Sequence, residues 1–129
     1  MAIWHLRSNR KLTGGMRSRI RKKRKMDRGS KFLETKIAEK KIKIKKTRGN
    51  NKKIAALSLN KVNVSDPKTK KIQQAKIISV VENPANPHYA RRNVITKGAV
   101  VKTDMGLVRI TNRPNQEGMA NGVLTGEKK

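Results

Sequence analysis

Seven of the nine residues from Arg17 to Lys25 are basic: Arg17, Arg19, Arg21, Lys22, Lys23, Arg24 and Lys25, with only Ser18 and Ile20 between them. Side chains of this kind, massed together, bind anions. A guanidinium forks two donors onto one phosphate or stacks on an exposed base, and an ammonium supplies a point charge. On a helix the run would set Arg17 against Arg21 and Arg21 against Lys25 at i, i+4 spacing, which destabilises the helix until phosphates intervene. A solvated charge run or a localisation tag would have the same composition. The surrounding chain, basic throughout, favours nucleic acid, held through its backbone and positioned as a folded RNA rather than read as a sequence.

Four smaller groups could share that task. Upstream, Arg7 precedes Arg10-Lys11-Leu12-Thr13-Gly14-Gly15, where two glycines let the main chain pass close to a sugar-phosphate backbone and donate its N–H groups. A flexible joint is the other use of such a Gly-Gly pair. Arg28 follows the basic run. Arg48-Gly49-Asn50-Asn51-Lys52-Lys53 offers a donor on every residue but the glycine, as a direct contact or simply as an exposed loop. Asn86-Pro87-His88-Tyr89-Ala90-Arg91-Arg92-Asn93 places the single Tyr and one of the two His beside paired arginines. Aromatic and guanidinium planes stack on unpaired bases, and Tyr89 equally could close one end of a core poor in aromatic residues. Trp4 lies outside any expected core, which points to a contact with RNA or a neighbouring protein.

No catalytic constellation accompanies these groups. The eight carboxylates are scattered; Glu34 and Glu39 are the nearest pair within residues 1–53, and neither stands beside a His or a nucleophilic Ser. The chain has no cysteine, which excludes disulfides and thiolate zinc sites, and His5 and His88 cannot complete a metal shell. No phosphate-binding P-loop or dinucleotide fingerprint is present. The expectation is a protein without cofactor, metal or small-molecule substrate. Met1 to Leu6 runs directly into Arg7, so no signal peptide or membrane span is expected there, and the protein is expected to stay in the cytoplasm.

The elements that must position these groups begin with charge. The 129 residues carry 34 Lys and Arg against 8 Asp and Glu, a formal net charge of +26. Such a charge repels itself within a Debye length and is tolerated when a polyanion supplies the counter-charge. Residues 1–53 hold 21 basic and 3 acidic residues, the remainder 13 and 5. Between Arg7 and Lys31 the sizeable apolar residues are Leu12, Met16, Ile20 and Met26. Burying four such side chains returns about 1.5–3 kcal/mol each, against about 1–2 kcal/mol per residue for ordering the backbone. Residues 1–31 therefore read as a basic extension that is disordered when free and orders on its ligand.

Alternation of apolar and polar residues marks strands at Leu57-Ser58-Leu59, Val62-Asn63-Val64, Val94-Ile95-Thr96 and Leu107 to Thr111, with turn residues between them. Lys53 to Leu59 is the one stretch that could pass for a short helix. Lys41-Ile42-Lys43-Ile44-Lys45 also alternates and reads as the first strand or as an edge. The fold expected is all-β: a small antiparallel barrel-like body, closed because so few strands cannot leave edges open. Residues 32–53 are expected to connect extension and body, residues 54–126 to form the body, and 127–129 a flexible tail.

The blocks Met1-Ala2-Ile3-Trp4, Arg10 to Gly15 followed by Arg21-Lys22-Lys23-Arg24-Lys25 and Gly29, Arg48-Gly49-Asn50, Val80 to Tyr89, and Arg91 to Ala99 together resemble the archaeal and eukaryotic-type small-subunit ribosomal protein eight family, the S8-e type. The resemblance covers nearly the whole chain, and the length is similar to the archaeal form. It implies a component of the small ribosomal subunit bound to 16S-type rRNA beside neighbouring ribosomal proteins, with a β-rich body and penetrating basic extensions. The chain departs from the pattern in carrying Asp27 and Arg28 where the family has Glu and an aliphatic residue, and Lys70 where glycine is common. If that last site needs a left-handed residue, Lys costs about 1–2 kcal/mol. The rival reading, from composition alone, is a chromatin-type DNA-binding architectural protein. A membrane-active peptide is disfavoured, since the basic runs lack an apolar face of useful width.

Overall fold

The computed structural model describes residues 3–18 and 20–126, so Arg19 and the tail at 127–129 lie outside the described residues. It divides into two compact units, Met1–Phe32 and Leu33–Lys129.

The second unit is all β apart from short turns of helix. Its strands are β1 (Thr35–Ile37), β2 (Lys41–Lys46), β3 (Lys52–Leu59), β4 (Lys61–Ser65), β5 (Ile72–Glu82), β6 (Val94–Ile95), β7 (Val100–Thr103), β8 (Leu107–Ile110) and β9 (Asn121–Gly126). Single helical turns, α1 (Pro87–Arg91) and α2 (Pro114–Glu117), each begin at a proline, whose fixed φ suits the first helical position. Strands β4, β5, β7, β8 and β9 close into a barrel, and β2, β3, β1 and β6 form a four-stranded sheet in that order.

The barrel closes where β9 meets β4 in parallel, Asn63 opposite Asn121, with the Asn63 side-chain amide donating to Asn121 Oδ1 at 2.9 Å. Its interior is small and mostly β-branched: Val62, Val64, Ile77, Val101, Val108 and Ile110 are almost fully buried, joined by Ala75 and Ala120. Such residues fill a narrow barrel without the bulk of aromatic rings, which explains how a chain this poor in Phe, Tyr and Trp builds a core. Buried Thr103 is satisfied by donating to the Gly106 carbonyl at 2.8 Å.

The all-β barrel-like body is present, with differences from the sequence expectation. Lys53 to Leu59 is strand, not helix, because it is paired on both sides, with β2 and with β1. Of the nine strands among the described residues the barrel takes five, and the others form the separate sheet. Pairing is not purely antiparallel, since β1 with β3 and β4 with β9 run parallel. Three-residue β1, and not Lys41–Lys46, comes first, held by its buried Thr35 hydroxyl donating to the Ala56 carbonyl at 2.9 Å. The longest strand, β5, lacks clean alternation because register shifts between Ile77 and Ser79 and between Val80 and Glu82 place apolar residues side by side.

The β4–β5 connection is the turn expected at Asp66. The Asp66 carboxylate accepts from the Thr69 hydroxyl at 2.8 Å and from the Lys68 N–H at 2.9 Å, and these bonds, the first above all, hold its pKa below the ordinary value. Lys70 sits in the left-handed region at φ 55°, and its N–H donates to the Asp66 carbonyl at 2.9 Å.

Candidate nucleic-acid interface

In the first unit two backbone pairings give the basic residues fixed positions. The Lys11 N–H donates to the Gly15 carbonyl at 2.8 Å and the Gly14 N–H to the Lys11 carbonyl at 3.0 Å, so Arg10 to Met16 is a tight hairpin with Thr13 in its turn. Gly14 takes φ 85°, which a side chain would resist. Arg10 folds back on this turn, donating to the Gly14 carbonyl at 2.9 Å. The Gly-Gly pair is thus a built turn with its neighbours Arg10 and Lys11 exposed. Arg7 is exposed as well.

The second pairing brings Ile3, Trp4 and His5 antiparallel to Asp27, Arg28 and Gly29, through His5 N–H to Asp27 carbonyl and Gly29 N–H to Ile3 carbonyl, both 2.8 Å. A Cβ on Gly29 would lie 2.5 Å from His5 Nε2, so a side chain there would have to displace the His5 ring. Trp4 is half-buried, and the Lys23 ammonium stands 5.2 Å from its ring centroid, a cation–π arrangement. Asp27 organises the run before it: its carboxylate accepts from the Arg21 guanidinium at 2.9 Å and from the Arg24 N–H at 3.2 Å, closing the single turn Lys25–Asp27. The shorter acid therefore still ties the motif together. Lys22, Lys25 and Arg28 are exposed. Arg17 is half-buried, with an Nε that finds no hydrogen-bond partner among the described residues.

In the second unit the expected residues fall into two groups. Arg48, Gly49 and Asn50 form the tip of the β2–β3 hairpin, closed by Thr47 N–H to Asn51 carbonyl at 2.8 Å and by the Asn51 side-chain amide to Arg48 carbonyl at 3.2 Å. Lys52 and Lys53 open β3. The other group surrounds α1. His88 donates its N–H to the Asn86 side chain at 2.9 Å, Tyr89 is half-buried, Arg91 is exposed and Arg92 is ion-paired to Glu34. Asn93, at φ 52°, accepts the Val80 N–H at 3.1 Å and so fixes the loop to β5. These groups are not together: β2 is one edge of the four-stranded sheet and β6, which follows α1, is the other, about 14 Å away at ordinary strand spacing.

The structure adds residues that the sequence reading did not place in the site. Strand β2 supplies Lys41, Lys43, Lys45 and Lys46, all exposed, and its register sets Lys45 directly opposite Lys53 and Lys46 directly opposite Lys52. Outside that interface, on β4 and β5 of the barrel, Lys61 and Lys76 are also directly opposed. The signal was the alternation of Lys41 to Lys45; what it lacked was the partner strand. Among the described residues the ion pairs are Arg21–Asp27 and Arg92–Glu34, and none involves these lysines. No described group of His, Asp and Glu could hold a metal ion, and no described helix is long and apolar enough to cross a membrane.

The family model for ribosomal protein S8e matches residues 4–125. The chain belongs to that family. It is similar to small ribosomal subunit protein eS8 of Methanococcus aeolicus, 45% identical over 128 residues that cover 98% of this chain and 100% of the relative. The proteins of the same name from Methanobrevibacter smithii and Methanocella arvoryzae are 44% and 48% identical, covering 96% and 92% of this chain and 99% and 94% of theirs. These are archaeal relatives, as the length suggested, and the family is one of ribosomal proteins, not enzymes.

Proposed function

We propose that this protein is a structural constituent of the small ribosomal subunit in the cytoplasm, and that it binds and stabilises 16S-type rRNA through phosphate contacts beside neighbouring ribosomal proteins. The observation that carries the reading is the opposition of lysines across β2 and β3, none of which is ion-paired among the described residues. Like charges directly opposite destabilise a strand pair, so the arrangement is favourable when an external polyanion compensates it. The basic run from Arg17 to Lys25 and the paired arginines at α1 extend the same chemistry to other parts of the chain. Residues 1–31 belong to this reading as an extension that orders on rRNA, with 32–53 leading into the body.

Counterion release would drive the association. With about eight duplex-like phosphate contacts, the logarithm of the association constant for a structured small-subunit rRNA fragment should fall with the logarithm of salt at a slope near −7. Binding that scarcely changes between low and moderate salt would refute it. Competing duplex DNA in the same titration separates the chromatin-type alternative, since preference for DNA would sink the ribosomal assignment.

A further inference from the structure

We propose that the β2–β3 hairpin is a two-sided clamp that holds one RNA segment against each of its faces; this rests on the RNA-binding function proposed above. Successive side chains of a strand point to opposite faces, so the register sorts the lysines without ambiguity. Lys43, Lys45 and Lys53 lie on one face. Lys46 and Lys52 lie on the other, in line with Ile42, Ile44 and Ile54.

An ordinary surface hairpin packs one face on a core and gives the other to water. This hairpin does so only at its base. There Ala56 is completely buried, and Ile54 sits so close over Gly118 that a Cβ at Gly118 would collide with it. Toward the tip the same face leaves the body: Ile44 is 61% exposed, and Lys46 and Lys52 are exposed beyond it. Both faces of the outer hairpin are therefore open, and each carries a directly opposed lysine pair.

One RNA segment docked on one face compensates the pair on that face and only weakly the other. Side chains leaving opposite faces place their ammonium groups about 10 Å apart or more, the spacing of stacked sheet layers, and the Debye length at physiological salt is about 8 Å. An RNA strand docked on the Lys45–Lys53 side compensates Lys46 and Lys52 only weakly. Full compensation needs a second phosphate row on the second face. The faces also differ in kind. The Lys46–Lys52 side carries exposed aliphatic Ile44 and suits the wide, shallow minor groove of an RNA helix, where sugars offer apolar contact, while the Lys45–Lys53 side suits a bare phosphate ridge.

The test uses the full chain and two RNA duplexes joined by an oligouridine linker, with donor and acceptor dyes at their far ends, each protein variant saturating the RNA. The wild type should raise energy transfer. Lys45→Gln with Lys53→Gln, and separately Lys46→Gln with Lys52→Gln, should each abolish the rise, and joining the two pairs should remove nothing further. Lys→Arg at the same positions should retain it. Removing the same charge from the barrel, Lys61→Gln with Lys76→Gln, should leave it intact, which separates the hairpin from net charge. A β-type circular dichroism spectrum for each variant guards against unfolding. The clamp is overturned if the wild type saturates the RNA without raising transfer, if either hairpin pair variant still raises it, or if the barrel variant loses it equally. Failure of the wild type to bind the duplexes or an rRNA fragment at all would instead overturn the proposed function.

Discussion

Lys70 occupies a backbone conformation, φ 55°, in which its Cβ crowds the following carbonyl. A residue with a side chain loses about 1–2 kcal/mol there, whereas glycine loses only its greater freedom in the unfolded chain, about 0.5–1 kcal/mol. Lys70→Gly should therefore raise stability by about 0.5 kcal/mol, read as a higher urea midpoint at unchanged slope. No gain, or a loss, would mean that the bonds around Asp66 already hold the turn against that strain. The turn itself was legible in Asp66-Pro67-Lys68-Thr69, and the strain at Lys70 in its place within the family pattern. Other residue-scale features were not legible. That Lys23 would stand over Trp4, or that the Asn93 side chain would accept the Val80 N–H, depends on chain segments brought together by folding.

At the scale of elements, the β2–β3 hairpin sets binding against stability. Each opposed lysine pair destabilises the free protein by about 0.2–1 kcal/mol, and phosphates relieve it. Lys45→Gln with Lys53→Gln should then raise the thermal midpoint of the RNA-free protein at low salt while weakening its binding to rRNA, and added salt should erase the gain in midpoint by screening what the substitutions remove. A midpoint that falls at low salt would show that the lysines are favourable in the free fold. The alternation in Lys41 to Lys45 made the strand readable, but opposition of charges is a property of register, fixed here by a partner strand running from Lys52 to Leu59. Strand β5 was hard to read for a related reason: its two register shifts break the period of two on which recognition of a half-buried strand depends.

Over the whole molecule, charge and core are distributed differently than a split after Lys53 suggests. Met1–Phe32 holds 12 basic residues and 1 acidic, while Leu33–Lys129 holds 22 and 7 and, among the described residues, contains the nine strands and the buried core. The larger share of net positive charge thus belongs to the second unit, a consequence of the hairpin lysines being strand residues. Closure of the body was foreseeable from the need to protect edges, but the division into barrel and separate sheet was not, since parallel pairing of β4 with β9 joins residues far apart in sequence. A chain of residues 33–129 should accordingly unfold in one cooperative transition with a β-type spectrum. Its rRNA binding should keep a clear salt dependence, shallower than that of the full chain because the contacts of Arg7 to Lys31 are gone. A slope near zero would place the phosphate contacts in the first unit alone, and a slope equal to that of the full chain would deny that unit a share.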